Sequence, residues 1–221
     1  MLQSAPEAIV RFPPGFNFDA ERQASKAGFL DGVTVELPDG LGFSVCLIDS
    51  ERLGQEIDAA QGSGKPFFAK PGLIVVSRIS AWIATLAVRW AASQDYFTGL
   101  NPVPHAIQAV TEVAVSYPDG FDLDSGQEAE MRGYLEGVTV QLGNGLRYLV
   151  CFMTPIRLRH EIEADAINGR PFYAEPGLIA VSDIQADLMN LAVRDLARQG
   201  FFSHLKPCEV EADPESRIAI A

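Results

Sequence analysis

Arg52 and Glu56 lie four residues apart, and Arg157 and Glu161 repeat the pair further along the chain. Arg89 is matched by Arg194 in the same way. On a helix, Arg and Glu at this spacing face one another and form a surface ion pair worth roughly a few tenths of a kcal/mol. Arg89 and Arg194 fall toward a helix C-terminus, where the backbone dipole favours a cation. The same residues would also suit an anion or carboxylate site formed twice, because the guanidinium fork matches a carboxylate. Convergence of these groups on a cleft separates the two readings.

Other chemical constellations fail on spacing. GSGK (62–65) resembles the end of a phosphate-binding loop, but Ala59 stands where its first glycine belongs and Pro66 where a hydroxyl residue belongs. RHEIEA (159–164) offers His160 and Glu161, yet a zinc-binding helix needs a second histidine where Ala164 stands. DLDSG (122–126) opens like a calcium loop and departs from one by its fifth position. His105, His160 and His204 are scattered, and no CxxC or GxGxxG occurs. Cys46 and Cys151 occupy the same place in two similar segments and read as small core hydrophobes rather than reactive thiols. Neither a metal nor a cofactor is expected.

These residues sit in a chain that resembles itself. Shifted by 105 residues, GFLDGVTVELPDGLGFSVCL (28–47) lies over GYLEGVTVQLGNGLRYLVCF (133–152), and the register holds without a gap to Phe97 and Phe202. About half the positions are identical. A more weakly matched segment, RFPPGFNFD (11–19) over SYPDGFDLD (116–124), precedes it. Solenoid repeats run about 20–50 residues, so a period this long predicts a duplicated domain. The expected organisation is a first repeat at 1–105, a second at 106–205 and a solvated tail at 206–221.

Each copy predicts the same elements. A short strand is followed by an irregular polar stretch, then a hairpin in which VTVEL and FSVCLI flank PDG. Asp49-Ser50, like Thr154-Pro155, marks a helix start; Leu53, Ile57 and Ala60 form its apolar stripe. PFFAKPGLIVVS (66–77) and PFYAEPGLIAVS (171–182) then combine three features. Pro-Gly suits the centre of a type II turn, the apolar run suits a strand buried on both faces, and Ser77 or Ser182 caps the last helix. The predicted fold is α/β (α+β): a β-ββ-α-β-α unit occurring twice, with mixed sheets, packed as a pseudo-twofold pair.

The chain has 221 residues and a formal charge of −12. Residues 1–105 carry 8 Lys+Arg against 11 Asp+Glu, and residues 106–221 carry 9 against 18. A net-negative surface repels phosphate backbones and anionic lipids, which argues against nucleic-acid and membrane partners and favours a basic protein. No apolar run approaches the roughly 20 residues of a membrane span. The N-terminus lacks the features of a secretory signal, and three cysteines are not a disulfide framework, so a cytoplasmic location is expected.

Divergence between the copies points to a surface. Trp82 and Trp90 correspond to Asp187 and Asp195, and Lys70 and Arg78 to Glu175 and Asp183. A position that accepts Asp is expected to face solvent, and residues eight apart lie about 80° apart around a helix, so one face would show both tryptophans. The expected function is protein binding through Trp82 and Trp90, as an inhibitor, adaptor or immunity-type protein. The alternative is an enzyme or ligand-binding protein with its site between the repeats, using the paired Arg and Glu residues.

Overall fold

The computed structural model describes residues 8–102, 112–118, 121 and 123–208. Among these residues it forms two five-stranded mixed sheets and six α-helices. His105, the expected boundary at 105/106 and residues 209–221 of the expected tail lie outside the described residues.

The first half runs β1 (Ile9–Arg11), α1 (Phe18–Ala27), β2 (Phe29–Glu36), β3 (Gly42–Asp49), α2 (Ser50–Gln61), β4 (Phe67–Phe68), β5 (Leu73–Val76) and α3 (Ala81–Ser93). A 3-10 turn, Tyr96–Gly99, ends it. The second half runs in the same order: β6 (Val113–Ser116), α4 (Leu123–Arg132), β7 (Tyr134–Leu142), β8 (Arg147–Met153), α5 (Pro155–Ala166), β9 (Phe172–Ala174), β10 (Leu178–Val181) and α6 (Ala186–Arg198). It ends in the 3-10 turn Phe201–His204.

Most of the local expectations hold, for local reasons. The β2–β3 and β7–β8 hairpins alternate between two cores, with Val33, Val35, Phe43 and Val45 on one face and Cys46 and Ile48 on the other. Leu73–Val76 and Leu178–Val181 are buried along their whole length, as strands covered on both faces must be. Asp49 caps α2 by accepting from the Arg52 amide at 2.7 Å; Thr154 caps α5, and Pro155 fills its first position.

Four features differ from the sequence reading. The stretch expected to be irregular contains α1, capped by Asn17 at its start and by left-handed Gly28 at its end. None of its residues is buried, so it lacks the apolar stripe that announces a helix. The last helix of each half begins three residues late. Ser80, not Ser77, caps α3, and Gln185, not Ser182, stands at the N-cap of α6 without a side-chain hydrogen bond. Ile79 and Ile184 are buried instead, carrying each chain from strand to helix through the core.

The Pro-Gly turns serve a second purpose. Gly72 has the positive φ (69°) of a type II turn, but Gly177 does not. Both glycines instead lie so close to a neighbouring strand that a Cβ would strike its backbone, at the Ser44 carbonyl for Gly72 and the Leu149 carbonyl for Gly177.

The fourth difference concerns topology. The sheet orders are β1-β2-β3-β5-β9 and β4-β10-β8-β7-β6. Each sheet therefore takes its last strand from the other half. Val76 pairs with Phe172, Val181 with Phe67, and the Ser77 and Ser182 amides extend the pairing to Pro171 and Pro66. A further bridge joins Leu100 to Leu205, its own counterpart 105 residues on. The halves are interlocked rather than merely packed. One core unites the α3 and α6 faces of the two sheets; a second unites their opposite faces under α2 and α5, through Leu53, Ile57, Leu158 and Ile162.

Candidate functional site

The strand exchange creates a place where both halves meet. β4 carries the segment after it, Ala69 to Pro71, toward the C-terminal end of α6, and Lys65 reaches the Asp195 carboxylate at 2.8 Å. Asp195 is 8 % exposed and also accepts from the Gln199 amide at 2.6 Å. Between these elements lies a cleft of about 630 Å³.

The first half supplies one wall. Gly28 brings the end of α1 against the start of α2, where a Cβ would lie 2.6 Å from Arg52 Cβ. Arg52 and Glu56 form their ion pair at the cleft. Lys70 pairs with Asp31 beside the β2 bulge at Gly32 (φ 73°), and its Nζ lies 5.0 Å above the Phe29 ring. Phe29 and Phe68 provide the apolar surface.

The second half supplies the other wall from Leu196 of α6, from Gln199 at its C-cap and from Phe201 and His204 of the 3-10 turn. Burial holds His204 below the usual imidazole range, so its neutral form is favoured. A smaller cavity of about 300 Å³ shares Lys70, Pro71 and His204 and reaches Ser44 and Cys46. Burial pushes the Cys46 thiol up to about 12, which removes it as a nucleophile at neutral pH. The Cys151 thiol is likewise pushed up to about 12 by burial.

The chemistry available is recognition. Apolar rings line a space of the size that holds a small organic molecule, and two ion pairs present charged groups at its sides.

The expected site residues separate. Arg52 and Glu56 converge on the cleft. Arg157 and Glu161 pair in the same manner at the corresponding place in the other half, where the Arg157 guanidinium sits 4.8 Å above the Tyr134 ring. Arg89 and Arg194 are exposed on α3 and α6 and do not line this cleft.

The two tryptophans do not share an exposed face. Trp82 is 65 % exposed, as expected. Trp90 is half-buried: it packs edge-on against Phe172 at 5.3 Å, with the Arg170 guanidinium 5.6 Å from its ring. Its counterpart Asp195 is buried as well, against the expectation that an aspartate marks a solvent-facing position. Lys65 and Arg170 are themselves counterparts, so one inter-half junction is held by an ion pair and the other by a cation–π contact. A carboxylate can be buried when a cation from the other half reaches it.

Sequence reasoning missed Phe29, Phe68, Gln199, Phe201 and His204. Lys70 was visible as a charge reversal against Glu175, and His204 stands opposite Gly99. No signal along the chain joined them to Arg52.

Among the described residues no group of three His, Cys, Asp or Glu side chains could hold a metal ion, and no helix is long and apolar enough to cross a membrane. No protein-family model matches the chain, and neither curated proteins nor solved structures give a significant match.

Proposed function

We propose that this chain arose by tandem duplication of a unit of about 105 residues, forms a pseudo-twofold pair, and binds a small molecule in the cleft between the halves. The observation that carries the binding reading is the cleft of about 630 Å³, built from both halves and flanked by Arg52, Glu56 and Lys70. Its volume lies in the range typical of small-molecule sites, and its rings supply the apolar contact that drives such binding. Three cysteines without a disulfide partner fit a reducing cytoplasm.

Amide chemical shifts read during titration with a neutral bicyclic aromatic test this. Shifts centred on Ala27, Gln199 and Phe201, abolished in Ala27→Trp, are the expected result. Ala27 is exposed at the cleft, so the bulky ring blocks the space without entering the core. Shifts that ignore the substitution would count against the site.

Exposure of Trp82 supports a second reading, capture of a basic protein partner by a chain of net charge −12. A partner retained by Trp82→Asp would remove it.

A further inference from the structure

We propose that the ligand of the cleft is an aromatic monocarboxylate; this rests on the reading of the cleft as a small-molecule site. Three phenylalanine rings, Phe29, Phe68 and Phe201, line the space. Aromatic rings prefer other rings in offset or edge-on contact, so the body of the ligand is a flat aromatic. Its polar end follows from the donors. The Arg52 Nε–H is buried without a partner and Nη2 donates to Glu56, which leaves the remaining N–H groups of the Nη1–Nη2 edge as the fork. A carboxylate is the group whose two oxygens match that fork.

Charge limits the ligand to a single negative unit. Arg52 and Glu56 cancel, as do Lys70 and Asp31, so the fixed charges at the cleft sum to zero within a chain of net charge −12. One anionic charge close to the guanidinium is stabilised by its charge-assisted hydrogen bonds. A phosphate ester with two or more charges would meet Glu56, Asp31 and the acidic field of the whole chain. Gln199 contributes an acceptor, because its amide nitrogen is committed to Asp195 and its carbonyl oxygen remains for a ligand N–H or O–H.

The test compares 2-naphthoate, its neutral analogue 2-naphthamide and inorganic phosphate on the full chain, by calorimetry and amide shift mapping. Naphthoate should bind at least about tenfold more tightly than naphthamide, the scale of one charge-assisted hydrogen-bond pair. That preference should vanish in Arg52→Gln, and Arg52→Lys, which keeps the charge but not the fork, should retain only part of it. Equal binding of naphthoate and naphthamide at the cleft would overturn the carboxylate while leaving the small-molecule site standing. Absence of binding by both would overturn the two together. Phosphate binding as tightly as naphthoate, or a preference that persists in both Arg52 variants, would also overturn the assignment.

Discussion

The cleft at Arg52 and the corresponding place at Arg157 share a backbone plan and differ in side chains. At the first, Lys70 and Asp31 attract; at the second their counterparts are Glu175 and Glu136, two carboxylates. Burial raises the Glu175 carboxyl above its ordinary value, and the neighbouring Glu136 raises it further. At the first, His204 borders the space beside Pro71. At the second, Pro176 packs where a side chain on Gly99 would be, with a Cβ there meeting it at 2.9 Å. Phe68 becomes Tyr173, whose hydroxyl is pushed up by burial beside the Cys151 thiol and Glu175. The lesson is that a repeated framework does not make a repeated site. Opposite charges and the His204 side chain border the first end, whereas like charges and a Gly99–Pro176 contact mark the second.

The severest way to break this comparison attacks what the two ends share. Gly72→Ala and Gly177→Ala should each cost roughly 3 kcal/mol or more in denaturant unfolding, because the new methyl group meets strand backbone that cannot yield. Gly72→Ala should be the worse, since its left-handed φ adds strain. Equal, small losses would mean that neither turn is held against its neighbouring strand.

Next come the two junctions. Asp195→Ala, which strips Lys65 and Gln199 of their acceptor, and Trp90→Ala, which removes the ring from Phe172 and Arg170, should each cost about 2 kcal/mol. Additivity in the double variant, within about 0.5 kcal/mol, is expected if the junctions are independent.

A smaller effect sharpens the charge contrast. Glu175→Lys gives the second end the ion pair of the first and should raise Tm by roughly 2 °C at pH 7. The sign follows from linkage. A carboxyl whose folded pKa is raised contributes its stability below the ordinary carboxylate value, 4.5, and loses it as pH climbs through the folded value. Glu175→Gln should therefore stabilise at pH 7 and lose that advantage near pH 4. A gain that grows on acidification would contradict the like-charge pairing.

The smallest effect concerns the tryptophans. Trp82→Phe should change stability by less than about 0.5 kcal/mol and leave blue, acrylamide-protected emission from Trp90. Red, readily quenched emission in that variant would place Trp90 in solvent.

The hairpins, the two central strands and the caps at Asp49 and Thr154 were legible because each depends on residues within a few positions of one another. The helix α1 was less so: Asn17, its acidic first turn and Gly28 mark it, but its exposed surface lacks the periodic apolar stripe. Half of the candidate site was readable. The Arg52–Glu56 pair follows from helical spacing, and Lys70 from its reversal to Glu175; Phe29 and Phe68 stand nearer along the chain but carry no mark of a site, and Gln199, Phe201 and His204 come from segments more than a hundred residues away.

Much of the local order, then, was written along the chain: the hairpins, the central strands, the helices α2 and α5, and that the pattern occurs twice. Three things were settled only in the folded molecule, namely the sheet that β4 and β9 join, the burial of Asp195 and the meeting of Arg52 with Phe201 and His204 at one cleft. The exchanged strands are two and three residues long. Pairing at home or across the halves would satisfy the same few backbone groups and bury the same rings, so local preference does not choose between them. The choice rests on contacts such as Lys65 with Asp195, 130 residues apart, whose energy exists only once both halves are in place.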